Sequence, residues 1–315
     1  MKTICACAVC GSTALDAYPA VLSPFIAERV GRAATACCLL ECRDCSHRFF
    51  DAALDDAEMQ RLYSGYRDPE YLRVRNRWEP WYTEQVNAAI GNDPAEIASR
   101  TQALGEYLRR RVPVEVLAGR VLDYGGDRGQ FIPPSIGATR YLYDVSGQPP
   151  VEGVVPVRDT SALKDLALDL VLLCHVLEHV ASPEEFLAHL QRELGARSAG
   201  HWLYVEVPLE RYRILKRRVR PDRIGRAEGG AAVRRRLPWL VRDLYSTALR
   251  VKLNVVPPLG VIKLHEHVSF FSEASLRTLL ARAGYAVVDT TVGSSSGSAG
   301  ITRVLRALGR REAKG

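Results

Sequence analysis

The sequence predicts an α/β protein whose main domain is a doubly wound, mostly parallel sheet. Short apolar runs alternate with helical patterns from residue 119 onward, which is typical of parallel strands covered on both faces. A glycine-rich turn, VLDYGGDRGQF at 121–131, follows the first of these runs. Two Cys-x-x-Cys pairs precede this region, so we expect a small, zinc-ribbon-like module before the sheet.

Five apolar runs supply the predicted strands of this sheet. In order, they are GRVLDYGG, TRYLYDVSG, EGVVPV, LDLVLLCHV and HWLYVEVP. The stretch GSSSGSAG at 293–300 predicts a flexible connection before a last strand, because serine and glycine favour coil. In the helix after the fourth run, Ser182 and Glu185 predict a capping box.

The chain divides into three predicted parts. Between the cysteine pairs and the glycine turn, apolar residues recur at helical spacing, and we expect connecting helices there. The aromatic residues of this connector favour core packing over the lining of a substrate pocket; they include Tyr63, Tyr66, Trp78 and Trp81. The expected boundaries are a zinc-binding module at 1–50, a helical connector at 51–114, and an α/β domain at 115–315 with a basic insertion at 209–262.

Composition and charge exclude several classes of protein. No stretch of the 315 residues approaches the roughly 20 apolar residues that a membrane-spanning helix needs. The first residues, MKTICACAVC, lack the apolar core of a signal peptide, so we expect a soluble cytoplasmic protein. The basic segment, residues 211–236, carries eleven Arg and Lys against two acids and accounts for the net charge of +7. Such a segment is usually a solvated surface, and otherwise binds phosphates, anionic lipid or nucleic acid.

Seven of the eight cysteines lie before residue 50, which favours a metal site over disulfides in a chain without a secretory signal. The pairs Cys7/Cys10 and Cys42/Cys45 each have the spacing that lets two thiolates reach one metal ion. Together they predict a structural zinc site whose four positions are filled by protein. Neighbouring residues compete for ligand positions, and these are Cys5, Cys37, Cys38 and His47.

The glycine turn indicates which cofactor binds. A dinucleotide site needs the pattern G-x-G-x-x-G beside a pyrophosphate, whereas this turn carries carboxylates at Asp123 and Asp127 among Gly125, Gly126 and Gly129. Acidic side chains repel a pyrophosphate but tolerate a cofactor that bears an ammonium and a sulfonium. The turn therefore favours S-adenosylmethionine.

A second acid supports the same cofactor. Asp144 ends the second predicted strand, about twenty residues after the first acid, where a carboxylate can accept hydrogen bonds from both hydroxyls of a ribose. The alternative interpretation is an ordinary turn aspartate at the end of a strand.

Four motifs together resemble those of class I S-adenosylmethionine-dependent methyltransferases. They cover most of residues 115–290, and they are VLDYGGDRGQF, YLYDVS, LDLVLLCHVLEHVASPEEFLAHL and YVEVP. The resemblance implies a seven-stranded, Rossmann-like sheet, with the cofactor over the first turn, beside the acid after the second strand, and near Cys174 and His175 after the fourth. The family usually has glycine where this chain has Asp127.

The cysteine module and the segment KLHEHVSFFS at 263–272 resemble bacterial sugar C-methyltransferases and related enzymes of surface-polysaccharide pathways. This resemblance implies methyl transfer to carbon or oxygen of a small polar acceptor, a nucleotide-activated or phosphate-bearing sugar, with the basic segment near the phosphate. It also implies that Glu266 and His267 are acid/base residues. Leu264 occupies the position of the family's tyrosine.

Methyl transfer to such an acceptor requires a group that removes a proton, which a histidine can do near neutral pH. If the segment is extended, His265 and His267 share one face and Glu266 takes the other. Three roles are open for His267: it is a base or substrate contact, a partner in a structural hydrogen bond, or a metal ligand together with His265. An alternative of a different class is a zinc-containing protein that binds or methylates RNA, with its cysteine module and basic segment on the phosphates.

Overall fold

A computed structural model of the chain describes residues 6–33, 36–52, 54–66, 68–219, 236–297 and 300–312. The chain forms two compact units, and each unit is assembled from two separate segments. Unit 1 comprises Met1–Ala89 and Glu210–Phe270, and unit 2 comprises Ile90–Leu209 and Phe271–Gly315. The expected boundaries at 50 and 114 do not coincide with these units, because each unit draws on a late part of the chain.

Unit 1 contains seven strands and five helices among its described residues. The strands are β1 (Leu15–Leu22), β2 (Ala36–Cys42), β3 (Arg48–Phe50), β9 (Arg213–Ile214), β10 (Val255–Val256), β11 (Lys263–Leu264) and β12 (Ser269–Phe270). The helices are α1 (Pro24–Val30), α2 (Asp56–Tyr63), α3 (Pro69–Trp78), α4 (Glu84–Ala89) and α8 (Arg236–Leu253). Five of the strands form one sheet in the order β11–β1–β2–β3–β12, and β9 and β10 form a small parallel pair.

The two outer strands of the five-stranded sheet come from the second segment of unit 1. Strand β1 pairs in parallel with β11, and β3 pairs antiparallel with β12. The core of the unit includes Phe25, Leu39 and Tyr71 together with Leu264 and Phe270. The later segment therefore completes both the sheet and the core to which β1, β2 and β3 belong.

Unit 2 is built on a seven-stranded, mostly parallel sheet within its described residues. Its strands are β4 (Arg120–Tyr124), β5 (Thr139–Tyr143), β6 (Val154–Pro156), β7 (Leu170–Cys174), β8 (Trp202–Pro208), β13 (Tyr285–Gly297) and β14 (Gly300–Arg311). Their order is β6–β5–β4–β7–β8–β14–β13. The five predicted runs form the five parallel strands, and β14 and β13 complete the edge in antiparallel pairing. This arrangement confirms the predicted doubly wound α/β sheet.

Helices flank this sheet and supply apolar residues to its core, which includes Leu108, Leu170 and Tyr204. The helices are α5 (Pro94–Arg109), α6 (Val114–Leu117), α7 (Pro183–Leu194) and α9 (Glu273–Arg282), with 3₁₀ turns at Thr160–Asp165, Leu177–His179 and Ala196–Ser198. The expected capping box at Ser182 is wrong, since its side chain makes no capping hydrogen bond. Helix α7 instead starts with Pro183, whose fixed φ suits a first helical position.

The edge hairpin of unit 2 corrects a sequence-based expectation. Residues 293–297, expected to be a flexible connection, continue strand β13 and pair with β14, for example Ser294 with Arg303. Main-chain hydrogen bonds to β14 hold this stretch extended, although serine and glycine have low strand propensity. No helix within the described ranges is long and apolar enough to cross a membrane.

Candidate functional site

The glycine turn directly follows β4. Gly125 and Gly129 have φ of +77° and +75°, in the left-handed region that glycine adopts without strain. A β-carbon at Gly126 would overlap the carboxylate of Asp123, and one at Gly125 would lie 2.7 Å from Cγ2 of Val176. The turn therefore needs small residues to lie between the ends of β4 and β7.

Asp127 and Asp144 join this turn to the end of β5. Asp127 has a φ of +57°, which L-residues rarely adopt, and its N–H donates to Oδ2 of Asp144 at 2.8 Å. The N–H of Ser146 donates to the other oxygen of Asp144 at 2.7 Å. The side chain of Gln130 donates to Oδ2 of Asp127 at 3.1 Å. Asp127 of the turn and Asp144 at the end of β5 are thus fixed in place by hydrogen bonds.

Asp123 is a buried carboxyl group at the centre of this turn, with 1% of its surface exposed. Burial raises the pKa of Asp123 to about 7; Arg100 opposes this rise, and the carboxylates of Asp144 and Asp127 add to it. Its Oδ1 atom has no hydrogen-bond partner among the described residues. A buried oxygen of this kind, close to two further carboxylates, is suited to a ligand that brings a positively charged N–H group.

Cys174, the last residue of β7, and His175 after it lie at the end of the strand next to β4. Cys174 is buried, and burial raises the pKa of its thiol well above the usual value, so the side chain is neutral. Nδ1 of His175 lies 3.2 Å from Glu178, and its Nε2 lies 3.5 Å from Glu206. Although burial opposes protonation, these two carboxylates raise the pKa of His175 to about 9. The imidazole is therefore positively charged at neutral pH.

Glu206 is a buried functional candidate that sequence reasoning missed. It accepts hydrogen bonds from the Tyr204 hydroxyl at 2.7 Å and from Nε of Arg306 at 3.0 Å, and Arg100 lies 3.5 Å from it. Burial opposes its ionisation, but His175 and Arg100 hold the pKa of Glu206 well below its usual range. The signal for it was an acid inside the apolar strand run HWLYVEVP, where an unpaired charge would be strongly destabilising.

Unit 1 contains a cavity of about 250 Å³. It brings together the predicted acid/base segment and residues that lie far from it in the sequence. The lining residues are Arg75, Glu79, Trp81, Glu210, Thr247, Arg250, Lys263, His265, Glu266, His267 and Phe270. The segment is not extended throughout: the chain bends at Glu266, and both histidines and the glutamate line the same cavity.

Both histidines of this segment face a carboxylate. Nδ1 of His267 lies 2.6 Å from Oε1 of Glu210, and Nε2 of His265 lies 2.8 Å from Oε1 of Glu79. Burial raises the pKa of Glu79, but His265 and the cations of Lys263 and Arg75 outweigh burial and hold it well below its usual range. Glu79 is therefore a carboxylate at neutral pH.

Glu266 has partners of a different kind. Its Oε1 atom accepts hydrogen bonds from the Tyr71 hydroxyl at 3.0 Å and from Arg75 at 2.9 Å. Both donors come from α3, more than one hundred and ninety residues earlier in the chain. The predicted pair Glu266 and His267 thus lie together in the cavity, but Glu266 contacts a phenol and a guanidinium whereas His267 contacts a carboxylate.

Two further lining residues were not assigned to a site from the sequence. The core packing expected of Trp81 is wrong, since it is 41% exposed with the ammonium of Lys263 5.6 Å from its ring centre. Tyr63, Tyr66 and Trp78 pack against the core as expected.

The Arg250 guanidinium lies 5.9 Å from the centre of the Tyr212 ring and forms no ion pair within the part of the chain that the structure describes. An exposed indole and such a guanidinium in one cavity favour an anionic ligand with a flat or ring-shaped part.

The four predicted zinc ligands lie together in unit 1. Their sulfur atoms are all within 4.8 Å of one another, and Cys7 to Cys45 and Cys10 to Cys42 measure 3.6 and 3.5 Å. None of the four forms a disulfide.

The residues that competed for these ligand positions lie elsewhere. Cys37 and Cys38 are buried along β2, and His47 stacks on Phe49. Cys5 is outside the described residues, as is most of the basic segment, 220–235. The structure therefore brings together the four cysteines that the Cys-x-x-Cys spacing selects.

Comparison with known proteins identifies the family. A family model described as a methyltransferase domain matches residues 92–290, which is more than half of the chain. The chain belongs to this methyltransferase family. It is an S-adenosylmethionine-dependent methyltransferase, and the carboxylate-rich turn after β4 lies inside the matched region.

Several solved structures are similar to this methyltransferase. One is the 1,6-didemethyltoxoflavin-N1-methyltransferase of Burkholderia thailandensis, at 16% identity and a TM-score of 0.41, over 86% of this chain and 96% of that chain. Another is the magnesium protoporphyrin IX methyltransferase of Synechocystis PCC 6803, at 18% identity and a TM-score of 0.39, over 83% of this chain and 100% of that chain. No curated protein sequence matches the chain.

Proposed function

We propose that this enzyme transfers the methyl group of S-adenosylmethionine to a small polar acceptor, a nucleotide-activated or phosphate-bearing sugar. The observation that carries the proposal is the cavity of unit 1, where the His267–Glu210 pair lines the same space as Arg250 and Trp81. This set offers a proton acceptor, a cation for a phosphate, and an aromatic face for a sugar or a base.

The turn of unit 2 is the proposed cofactor site, formed by Asp123, Gly125, Gly126, Gly129, Asp144, Cys174 and His175. Its residues fit a cationic cofactor, because Oδ1 of Asp123 is buried without a donor among the described residues and an ammonium would supply one. Asp144 uses one lone pair of each carboxylate oxygen for a main-chain N–H, which leaves others for ribose hydroxyls. When bound, S-adenosylmethionine would supply an electrophilic methyl group, with the neutral thioether S-adenosylhomocysteine as the leaving group.

His267 is the proposed general base. Its Nδ1 atom faces the Glu210 carboxylate at 2.6 Å, so the favoured neutral tautomer has the proton on Nδ1 and the lone pair on Nε2. In this proposal the imidazole takes the acceptor's proton as the new bond to the methyl group forms. The developing imidazolium is stabilised by Glu210.

Glu266 has a positioning role in this proposal. Its Oε1 atom is already engaged by Tyr71 and Arg75, so it holds α3 against the histidine segment. Arg75 also pairs with Glu79, and Glu79 contacts His265. The chain of contacts therefore fixes the bend on which His267 is placed.

The phosphate of the acceptor is assigned to Arg250 and Thr247. Both lie on one side of α8 and line the cavity beside Lys263, whose ammonium is already paired with Glu79 and Asp243. A guanidinium and a hydroxyl can both donate to phosphate oxygens, whereas the ring of Trp81 can pack on the sugar or base.

We also propose a structural zinc ion held by Cys7, Cys10, Cys42 and Cys45. Zinc–sulfur bonds of about 2.3 Å in a tetrahedron separate the sulfurs by about 3.8 Å. The separations of 3.6 and 3.5 Å in this cluster are close to that value. A closed set of four thiolates leaves no position for substrate, so the ion stabilises unit 1.

The test is a methyl-transfer assay on the full chain. The protein is incubated with S-adenosylmethionine labelled in its methyl group and with a panel of nucleotide sugars, sugar phosphates, free sugars and RNA, and NMR locates the methyl group in the product. We expect label only in the nucleotide sugars or sugar phosphates. Label in RNA, or equal label in free sugars, contradicts the proposed acceptor class.

A further inference from the structure

Helix α8 buries one aromatic and two polar residues against the protein. Trp239, Asp243 and Ser246 are its buried residues. Asp243 accepts a hydrogen bond from Lys263 at 2.9 Å, and the Ser246 hydroxyl accepts one from the Val261 N–H at 2.6 Å. These contacts fix which side of the helix faces the protein, because any rotation about the helix axis would break the pairing of the buried Asp243 carboxylate.

The outward side of α8 is apolar. The exposed fractions are 73% for Leu237, 61% for Val241, 59% for Leu244, 46% for Tyr245 and 76% for Val251. These positions follow one another at helical spacing and form one stripe, which we call the α8 stripe. A single exposed leucine needs no explanation, but a continuous exposed stripe is typical of an interaction surface.

The charges around the α8 stripe are positive. Arg236, Arg242 and Lys252 are exposed on the same helix, and its acid, Asp243, is buried and paired. The partner of this surface must therefore combine apolar groups with negative charge.

We infer that the α8 stripe binds the surface of an anionic lipid bilayer. A helix with an apolar side, an interfacial tyrosine and flanking Arg and Lys lies in the plane of a membrane, with its apolar side at the level of the acyl chains. A second copy of the chain would bring the same cations to the contact, and nucleic acid would gain little from Leu and Val side chains. The bilayer satisfies both the apolar stripe and the charge.

The test uses the full chain and sedimentation with lipid vesicles. We expect binding to phosphatidylcholine vesicles that contain phosphatidylglycerol, weak or no binding to vesicles of phosphatidylcholine alone, and loss of binding as salt screens the charges. Leu244→Glu should weaken binding at least tenfold, and Leu244→Ser, which leaves the charge unchanged, should weaken it by a smaller factor. Val114→Glu is the matched control, because Val114 is 77% exposed on α6 and its variant should bind vesicles normally.

Folding of each variant is checked by thermal unfolding and by its affinity for S-adenosylmethionine, neither of which the stripe should affect. Equal binding to both kinds of vesicle, or unchanged binding of Leu244→Glu, overturns the inference. So does a dimer in the absence of lipid that Leu244→Glu abolishes, because the stripe would then be a contact between copies. Binding to RNA in place of vesicles also overturns it.

Discussion

The two units collect their candidate residues in different ways. In unit 2, the proposed cofactor residues lie between Asp123 and His175, at the ends of three adjacent strands. In unit 1, the cavity combines α3 and the loop after it with residues 210–270. A site made by neighbouring strand ends can be recognised from one stretch of sequence. A site made by distant segments cannot, because the sequence does not show which segments come together.

The electrostatics of the two regions differ as well. Burial raises the pKa of Asp123 in unit 2 to about 7, and its Oδ1 atom has no donor among the described residues. Glu79 of unit 1 is also buried, but His265 and Lys263 outweigh burial and hold its pKa well below the usual range. Unit 2 thus offers an acid to a cationic ligand, while unit 1 offers a cation, Arg250, to an anionic one.

The largest expected effect tests whether the two units are stabilised independently. Cys42→Ser should remove the proposed zinc ion, unfold unit 1 and abolish methyl transfer, because a structural zinc site contributes on the order of 10 kcal/mol to folding. Elemental analysis and limited proteolysis measure the two losses. The control is Cys38→Ser, in the same strand but outside the cluster, which should keep about one zinc per chain. Zinc retained by Cys42→Ser would remove this residue from the ligand set.

The second prediction tests the chemistry of unit 1 against the cofactor binding of unit 2. His267→Asn should lower turnover by roughly 100-fold or more, while the affinity for S-adenosylmethionine stays constant. Wild-type turnover should rise with pH as the imidazole loses its proton, and this rise should vanish in the variant. His189→Asn, on the exposed side of α7, is the control. Near-normal turnover in His267→Asn would place the base elsewhere.

The third prediction acts on unit 2 alone. Asp144→Ala removes the hydrogen bonds that the Asp144 carboxylate accepts from the N–H groups of Asp127 and Ser146, and the proposed ribose contacts. Each bond to a charged group contributes about 1.5 to 3 kcal/mol. Calorimetry should show S-adenosylmethionine binding at least about tenfold more weakly. Asp159→Asn, at another carboxylate that accepts a main-chain N–H, should bind normally. Unchanged affinity in Asp144→Ala would move the ribose contact to another residue.

The fourth prediction uses the raised pKa of Asp123. Because its folded pKa, about 7, lies above the ordinary value of 3.8, ionisation destabilises the fold, and stability falls as pH rises from about 4 to 7. Asp123→Asn should therefore raise the melting temperature of the cofactor-free protein by several degrees above pH 7 and by little near pH 4. The same variant should bind S-adenosylmethionine more weakly. A shift of equal size at both pH values would mean that the charge is not the cause.

The smallest expected effect concerns Asp127. Asp127→Gly relieves a left-handed φ that costs about 1 kcal/mol, but the greater entropy of glycine in the unfolded chain offsets most of this gain. Cofactor affinity should stay within about twofold. Gly125→Ala is the contrasting variant, since its β-carbon would meet Val176, and it should destabilise the protein. A large loss of affinity in Asp127→Gly would indicate that the Asp127 carboxylate contacts the cofactor directly.

The sequence predicted most of unit 2 because its information is local. Each parallel strand is an apolar run, and the turn after β4 carries its own glycines and acids. The sequence did not show that residues 263–270 pair with β1 and β3, because a strand of two residues has no pattern of its own. It also missed Glu206, whose partners Arg100 and Arg306 lie about one hundred residues away in either direction.

The sheet of unit 1 also limits when this unit can fold during synthesis of the chain. Val21 of β1 pairs with Lys263 of β11, so the N-terminal strands cannot complete their sheet until most of the chain has left the ribosome. Chain synthesis proceeds at about 5 to 20 residues per second, so the delay between the synthesis of β1 and that of β11 is on the order of ten seconds or more. During this interval the edge of β1 is open to other chains, and early metal capture by the two cysteine pairs would hold β1 and β2 together until their partner is synthesised.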